Sequence, residues 1–332
     1  MKAILNELYQ HHYLSREGAR DLMHAIADGA HSDVEIAALL SVFRMRTMAL
    51  AEFQGFRDAL LQRCVPVALS SDLLIDIVGT GGDGKNTFNI STLSCFLVAG
   101  AGYAVAKHGN YAATSVSGSS NVMQALGYSF PSTAEEVQRD LDRAGICFLH
   151  APLFHPALKV VAPVRKQLGV RTFFNLLGPL VNPAQPQVPV VGVYNAEIAR
   201  LYSYLLQEAG TRFTVVNSMD GYDEISLTAD ARIITPTGEQ VWSPVDLGFR
   251  QVFAGDLHGG TSIEDAARIF LQILKGQGTW AQNAVVLANA AVAIHATQKT
   301  STYQAAYQQA VESLESGKAL AALAQLTNQS YL

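Results

Sequence analysis

The chain predicts an α/β fold class, with a small all-helical N-terminal domain over residues 1–66 and a larger α/β domain over 67–332. The larger domain is expected to hold a mainly parallel central sheet flanked by helices. Three observations lead there. Apolar residues in the first part recur at helical spacing. Beyond them, short apolar runs alternate with helical segments. Those runs also lack the alternation of a sheet with one wet face, so their strands read as buried on both sides.

Taken in order, Ser32 and Glu35 form a capping-box pair ahead of Ile36, Leu39, Leu40 and Phe43. Leu50, Phe53, Leu60 and Leu61 give a further apolar helix face. The character changes at "LLIDIVG" (73–79), a nearly continuous apolar strand followed by a glycine loop and a helix beginning near Ser91. Further strands are expected at 103–109, 146–151, 188–194 and 212–218. Helices are expected between them at 118–126, 133–144 with a Thr133/Glu136 capping box, 154–167 and 195–209. The stretch 224–242 alternates and carries turn residues, which predicts antiparallel strands. Helices near 281–297 and 302–315, then a short one after Gly317, close the chain.

Composition excludes several classes of function. With 49% hydrophobic and 15% charged residues, the chain is too apolar and too weakly charged to stay disordered. A formal net charge of −5 without a lysine–arginine cluster argues against a nucleic-acid partner. Cys64, Cys95 and Cys147 follow no metal spacing and read as reduced core residues, which points to the cytoplasm. "MKAILNELYQ" does not read as a signal peptide. The longest apolar run, 93–106, is shorter than the ~18 residues of a membrane span, so no membrane role is expected.

The stretch "IVGTGGDGKNTFNIST" (77–92) carries the chemistry. It follows a buried strand and opens a helix, the place where parallel sheets bind ligands. Glycines there let successive backbone N–H groups converge on an anion beside a helix N-terminus, and Asn89, Ser91 and Thr92 add side-chain donors. Two familiar motifs come close. Gly79 to Lys85 meets the P-loop pattern except that Asn86 replaces its hydroxyl, and Gly79, Gly81 and Gly84 satisfy G-x-G-x-x-G without an acid ~20 residues on. A tight structural turn is the plainer reading of such glycines. Lys107, His108 and Asn110 end another strand, ahead of a Ser/Gly-rich loop. Lys107 could balance phosphate charge. At "DGYDEISLT" (220–228) three acids surround a glycine; Asp223 and Glu224 could hold Mg²⁺, or form only a solvated acidic turn.

Together with "SGSSNVMQALG", "HPALK" and "VRKQLGVRTFFNLLGPLVNP", these segments resemble the anthranilate phosphoribosyltransferase family, in the family's order, over about residues 79–228. The resemblance implies a fold of the nucleoside phosphorylase/phosphoribosyltransferase type, with part of 164–190 joining the helical domain and the active site in the cleft between domains. It implies transfer of a 5-phosphoribosyl group from phosphoribosyl pyrophosphate (PRPP) to the amine of anthranilate in tryptophan biosynthesis, two Mg²⁺ ions per subunit and a homodimer. Carried over by residue, PRPP is expected at Gly79, Thr80, Gly81, Gly82, Asp83, Thr87, Asn89, Ser91, Thr92, Lys107 and Ser119. Mg²⁺ is expected at Ser91, Asp223 and Glu224, and anthranilate at Gly79, His108, Asn110 and Arg165. No general base is assigned; His108 is the nearest candidate.

Three positions depart from the family pattern. Tyr111 stands where many relatives have arginine, Asn121 where they often have an acid, and Thr114 where they have serine. A pyrimidine nucleoside phosphorylase is the rival enzyme, but its loop has the form S-T-G-G-V-G-D and it lacks "RTFFNLLGPLVNP". A non-catalytic nucleic-acid-binding paralogue is the other rival, and it should be basic with a degraded glycine loop.

Overall fold

The structure is a computed structural model and describes residues 1–112, 115–299 and 302–331. Helices α1 (Lys2–Tyr9), α2 (Arg16–Ala27), α3 (Asp33–Met45) and α4 (Leu50–Arg63) come first. Then follow β1 (Leu74–Gly79), α5 (Ile90–Gly100), β2 (Ala104–Gly109), α6 (Ser119–Ala125), α7 (Ala134–Ala144) and β3 (Ile146–His150). Next are α8 (Ala151–Phe154), α9 (Pro156–Leu168), α10 (Phe174–Leu177), β4 (Val188–Gly192), α11 (Ala196–Glu208) and β5 (Thr214–Ser218). The chain goes on through β6 (Ala231–Thr235), β7 (Gly238–Trp242), α12 (Ile263–Leu274), α13 (Trp280–Ala296), α14 (Tyr303–Glu315) and α15 (Lys318–Thr327).

Two compact units result, one of Met1–Val67 with Ala151–Gln185 and the other of Ala68–His150 with Pro186–Leu332. The segment returning to the helical unit thus spans 151–185, where the sequence reading had part of 164–190. It starts earlier because α9 buries Ala157, Val161 and Val164 and packs on α2 and α3. Phe173 stacks on Phe56 with ring centroids 4.7 Å apart and meets Phe43 edge-on at 5.1 Å. Inside this unit the Glu52 carboxylate is fully buried yet well satisfied. It accepts two hydrogen bonds from Arg46, at 2.6 and 2.9 Å, and one each from the Leu14 and Ala49 N–H groups. The Ser32–Glu35 box caps α3 as the sequence indicates.

The α/β unit is built on a seven-stranded sheet of order β3-β2-β1-β4-β5-β6-β7. β1 to β5 pair in parallel, while β6 and β7 add an antiparallel edge. The antiparallel pair lies inside the stretch expected to alternate, but residues 224–230 form no strand. Leu227 takes a left-handed φ of +58° there. α12 is absent from the sequence reading, although Ser262 caps it by accepting from the Asp265 N–H, and Ala266, Phe270, Ile273 and Leu274 supply its buried face. α5 is buried nearly all round, and α13, alanine-rich and equally buried, packs against it.

One polar side chain interrupts the buried apolar surface of α13. Asn289 accepts from the Ile225 N–H at 3.0 Å and donates to the Ile225 carbonyl at 2.8 Å, so it takes the place of a strand partner for that residue. Asn289→Ala leaves both groups buried without that partner, at about 1–3 kcal/mol each. The expected result is a fall in unfolding free energy of roughly 2–6 kcal/mol in urea titrations, with unchanged helical circular dichroism. An unshifted midpoint would show that Asn289 does not tether this segment.

Candidate active site

The strand order reverses between β1 and β4, since the chain runs from β1 to β2 and β3 on one side and from β4 to β5 on the other. The crevice at the carboxyl ends of such a pair is where open α/β sheets bind ligands. The final residues there, Gly79 and Gly192, lie in register. Asp223 crosses directly over both. A Cβ on Gly192 would lie 1.5 Å from the Asp223 carbonyl oxygen, and one on Gly79 would lie 2.3 Å from Asp223 Oδ2. Only glycine leaves room.

The loop from Thr80 to Asn89 then turns through left-handed backbone at Gly81 (φ +66°), Gly82 (+73°) and Gly84 (+79°). Such a sequence aims backbone N–H groups toward one concavity ahead of α5. Its later half is clamped by a segment that the sequence reading missed. The Phe88 N–H donates to the Leu257 carbonyl at 3.0 Å, the Gly259 N–H to the Asn86 carbonyl at 2.9 Å, and Asn86 Nδ2 to the Gly260 carbonyl at 3.2 Å. The available signal was the double glycine of "LHGG", needed because a Cβ on Gly259 would lie 2.5 Å from the Thr87 carbonyl oxygen. Lys85 places its ammonium 4.6 Å from the centre of the Tyr222 ring.

Two acids meet this loop, which itself carries a third, Asp83. Asp223 Oδ2 accepts from the Gly81 N–H at 2.6 Å, and Glu224 Oε1 accepts from Ser91 through both N–H (3.0 Å) and Oγ (2.8 Å). Burial raises the Asp223 and Glu224 carboxyls well above the usual range; the charge of Asp83 adds to the effect on Asp223, and that of Asp223 to the effect on Glu224. Glu224 Oε2 is buried without a hydrogen-bond partner among the described residues. Asn289 holds the next residue, and Ser218 Oγ donates to the Glu224 carbonyl at 2.6 Å, so the acids stand on a rigid support.

This donor set suits a hard divalent cation. All the ligating atoms are oxygens, they repel one another when ionised, and one is left without a partner. No three His, Cys, Asp or Glu side chains among the described residues converge into a closed metal cage. An ion held here would therefore keep water or phosphate oxygens among its ligands, which is the habit of magnesium. The acidic turn is accordingly not a solvated one: Asp223 is buried.

The structure brings most of the sequence-predicted residues to this edge. Thr80 and Thr92 are buried beside the loop and at the start of α5, and Asn89 donates to the Ser117 carbonyl at 3.1 Å. Lys107 is neither solvated nor turned outward; its Nζ donates to the Ile77 carbonyl at 2.6 Å. The His108 N–H donates to Asp76 Oδ1 at 3.4 Å. The Asn110 carbonyl accepts from the Ser120 N–H at 3.1 Å and Ser119 Oγ at 3.4 Å, which fixes the end of β2 to the start of α6.

The departures from the family pattern have physical accounts. Asn121 Oδ1 accepts from the Ala112 and Gly118 N–H groups at 2.8 and 3.0 Å, bonds that a carboxylate oxygen would make equally well. Tyr111 supplies no cation; its ring meets His150 edge-on at 4.8 Å and its hydroxyl donates to Gln124. Thr114 lies outside the described residues.

Arg165 belongs to the helical unit. Its guanidinium lies 5.5 Å from the centre of the Phe174 ring and donates weakly to Asn175 Oδ1 at 3.4 Å. Burial lowers its pKa, and among the described residues it makes no ion pair. A half-buried, unneutralised guanidinium is a ready partner for a carboxylate.

Comparison with known proteins agrees with this geometry. Residues 71–320 match the family described as "Glycosyl transferase family, a/b domain", and residues 2–64 match its "helical bundle domain". The anthranilate phosphoribosyltransferase of Bacteroides thetaiotaomicron is 54% identical over 323 residues, 97% of each chain. The crystal structure of anthranilate phosphoribosyltransferase from Thermus thermophilus superposes with a TM-score of 0.90 at 35% identity, covering 98% of both chains. The Saccharomyces cerevisiae enzyme in complex with PRPP and Mg gives 0.89 at 26% identity, covering 98% of this chain and 96% of that one. With the glycine loop, the Asp223–Glu224 pair and both matching units in place, the chain belongs to the anthranilate phosphoribosyltransferases of the glycosyl transferase family.

Proposed function

We propose that this chain transfers the 5-phosphoribosyl group of PRPP to the amino group of anthranilate, releasing pyrophosphate, as a step of tryptophan biosynthesis. The observation that carries the reading is the meeting of a left-handed glycine loop with the buried Asp223–Glu224 pair at the sheet's switch point. Breaking the bond at ribose C1 leaves negative charge on pyrophosphate and positive charge on the sugar. Catalysis is therefore mostly the stabilisation of a departing anion by fixed donors. The backbone N–H groups of Gly82 and Gly84 and the Thr92 hydroxyl would supply such donors, and those of Gly81, Asn89 and Ser91 would join them on exchanging Asp223, Ser117 and Glu224 for the anion.

Ser91, Asp223 and Glu224 would hold magnesium, with Asp83 close by. When bound, the cation supplies positive charge against the pyrophosphate oxygens. We read two ions per subunit, because Asp223 faces Gly81 while Glu224 faces Ser91, so the two acids offer separate faces. Anthranilate is assigned to Gly79, His108, Asn110 and Arg165, with its carboxylate on Arg165. No residue need act as covalent nucleophile, since the aromatic amine itself attacks. Among the described residues no helix is long and apolar enough to cross a membrane; our reading adds a cytoplasmic homodimer. Neither rival keeps support: the charge of −5 and the intact glycine loop weigh against the nucleic-acid-binding paralogue, and the "RTFFNLLGPLVNP" segment weighs against the phosphorylase.

Three variants test these assignments. Glu224→Gln keeps an oxygen for Ser91 but removes the charge, so turnover should fall by about 100-fold while the melting transition stays cooperative. Wild-type turnover at limiting magnesium would remove Glu224 from the metal site. Gly82→Val forces a β-branched residue into left-handed backbone, and calorimetry should show PRPP affinity reduced by at least about tenfold. Unchanged binding would reduce the loop to a turn. Arg165→Ala should raise the KM for anthranilate roughly ten- to a hundredfold, since a charge-assisted pair is worth about 1.5–3 kcal/mol. The KM for PRPP should hardly move, because every group assigned to it lies in the α/β unit. Equal damage to both constants would assign Arg165 to folding instead.

A further inference from the structure

The ladder between β1 and β2 stops early. Leu74 pairs with Ala104 and Ile75 with Val105, and among the described residues the ladder register between these two strands ends there. On the flanks, by contrast, β1 stays paired with β4 as far as Gly79–Gly192, and β2 with β3 as far as Gly109–His150. Continuing the β1–β2 register would set Ile77 against Lys107 and join the His108 N–H to the Ile77 carbonyl. Both groups are instead taken by side chains from the opposite strand. Lys107 Nζ donates to the Ile77 carbonyl at 2.6 Å, and Asp76 Oδ1 accepts from the His108 N–H at 3.4 Å.

Both side chains are charged types at almost no exposure, 1% for Asp76 and 2% for Lys107. A plain backbone rung would satisfy the same two groups without burying either charge, and burying charge is costly. Ordinary rungs hold strands ~4.8 Å apart. Interposed side chains hold them wider. The two strand ends so separated carry the glycine loop on one side and His108 to Asn110 on the other. We propose that Asp76 and Lys107 form a spacer that keeps the carboxyl ends of β1 and β2 apart, and that Asp76 is thereby a positioning residue for the acceptor groups His108 and Asn110. The inference rests on the transfer reaction proposed above. In that reaction PRPP contacts the glycine loop that follows β1, the amine acceptor contacts His108 and Asn110 at the end of β2 as well as Gly79, and the spacer sets the distance from the loop to the end of β2.

Asp76→Asn keeps an oxygen for the His108 N–H, and Asp76→Leu removes it at similar volume. In the full-length enzyme with PRPP, magnesium and anthranilate, Asp76→Asn should retain kcat within about threefold. Asp76→Leu should lose about 100-fold, the scale of a ~1 Å misplacement between reactants. The affinities of Asp76→Leu for PRPP with magnesium and for anthranilate, each measured alone, should stay within about threefold, since each subsite is intact. Wild-type kcat in Asp76→Leu overturns the proposal, as does a loss of binary PRPP affinity as large as the loss of turnover. If Asp76→Leu does not fold, Asp76→Asn decides: a tenfold or larger fall in kcat with both affinities kept overturns the acceptor role. Absence of turnover in the wild-type chain strikes the proposed function instead. The spacer is then read from amide exchange at His108, which should be slow in wild type and Asp76→Asn and faster in Asp76→Leu; equal rates in all three overturn it.

Discussion

Asp223 passes over the carboxyl ends of β1 and β4 at a separation that admits a hydrogen atom and no methyl group. That contact requires glycine at 79 and at 192, and so places flexible backbone where the sheet ends. It also brings a carboxylate within 2.6 Å of the Gly81 N–H, which draws the glycine loop and the acidic turn into one site. The loop supplies donors and the turn supplies acceptors. Neither would be useful without the other, because phosphate needs the first and a cation the second.

Much of this was legible in the sequence. The buried parallel strands declared themselves by unbroken apolar runs such as "LLIDIVG", and the caps of α3 and α7 by Ser32/Glu35 and Thr133/Glu136. The glycine loop was visible because left-handed backbone selects glycine locally. What escaped was built from distant partners. His258 to Gly260 clamp the loop across roughly 170 residues of chain, and such long-range backbone pairing has no periodic signature. Asn289 looks like an ordinary polar residue in an alanine helix until Ile225 is placed beside it. The antiparallel strands expected within 224–242 begin only at Ala231 for the same reason: Asn289 and Ser218 take up the backbone groups of 224 and 225 that a neighbouring strand would otherwise claim.

Residue chemistry was incomplete at two positions. Lysine after an apolar strand suggests a phosphate ligand, and the structure adds that the Lys107 ammonium donates inward to the Ile77 carbonyl. A missing positive charge at Tyr111 suggests a defect, yet its ring packs against His150, itself stacked on Phe130 at 4.5 Å, so the position is filled by aromatic contact. Asn121 shows the opposite case, where losing a charge costs nothing because only its oxygen is used.

The helical unit is assembled from two stretches of chain separated by three strands of the sheet. Phe43 and Phe56 are made early in synthesis and meet edge-on at 5.4 Å, but the third ring of their cluster is Phe173. Emergence from the ribosome is vectorial, so α1 to α4 leave the exit tunnel with that cluster incomplete. They stay without their third aromatic partner until β1, β2 and β3 have also been delivered. The first unit to be started therefore cannot be finished until part of the second has been made.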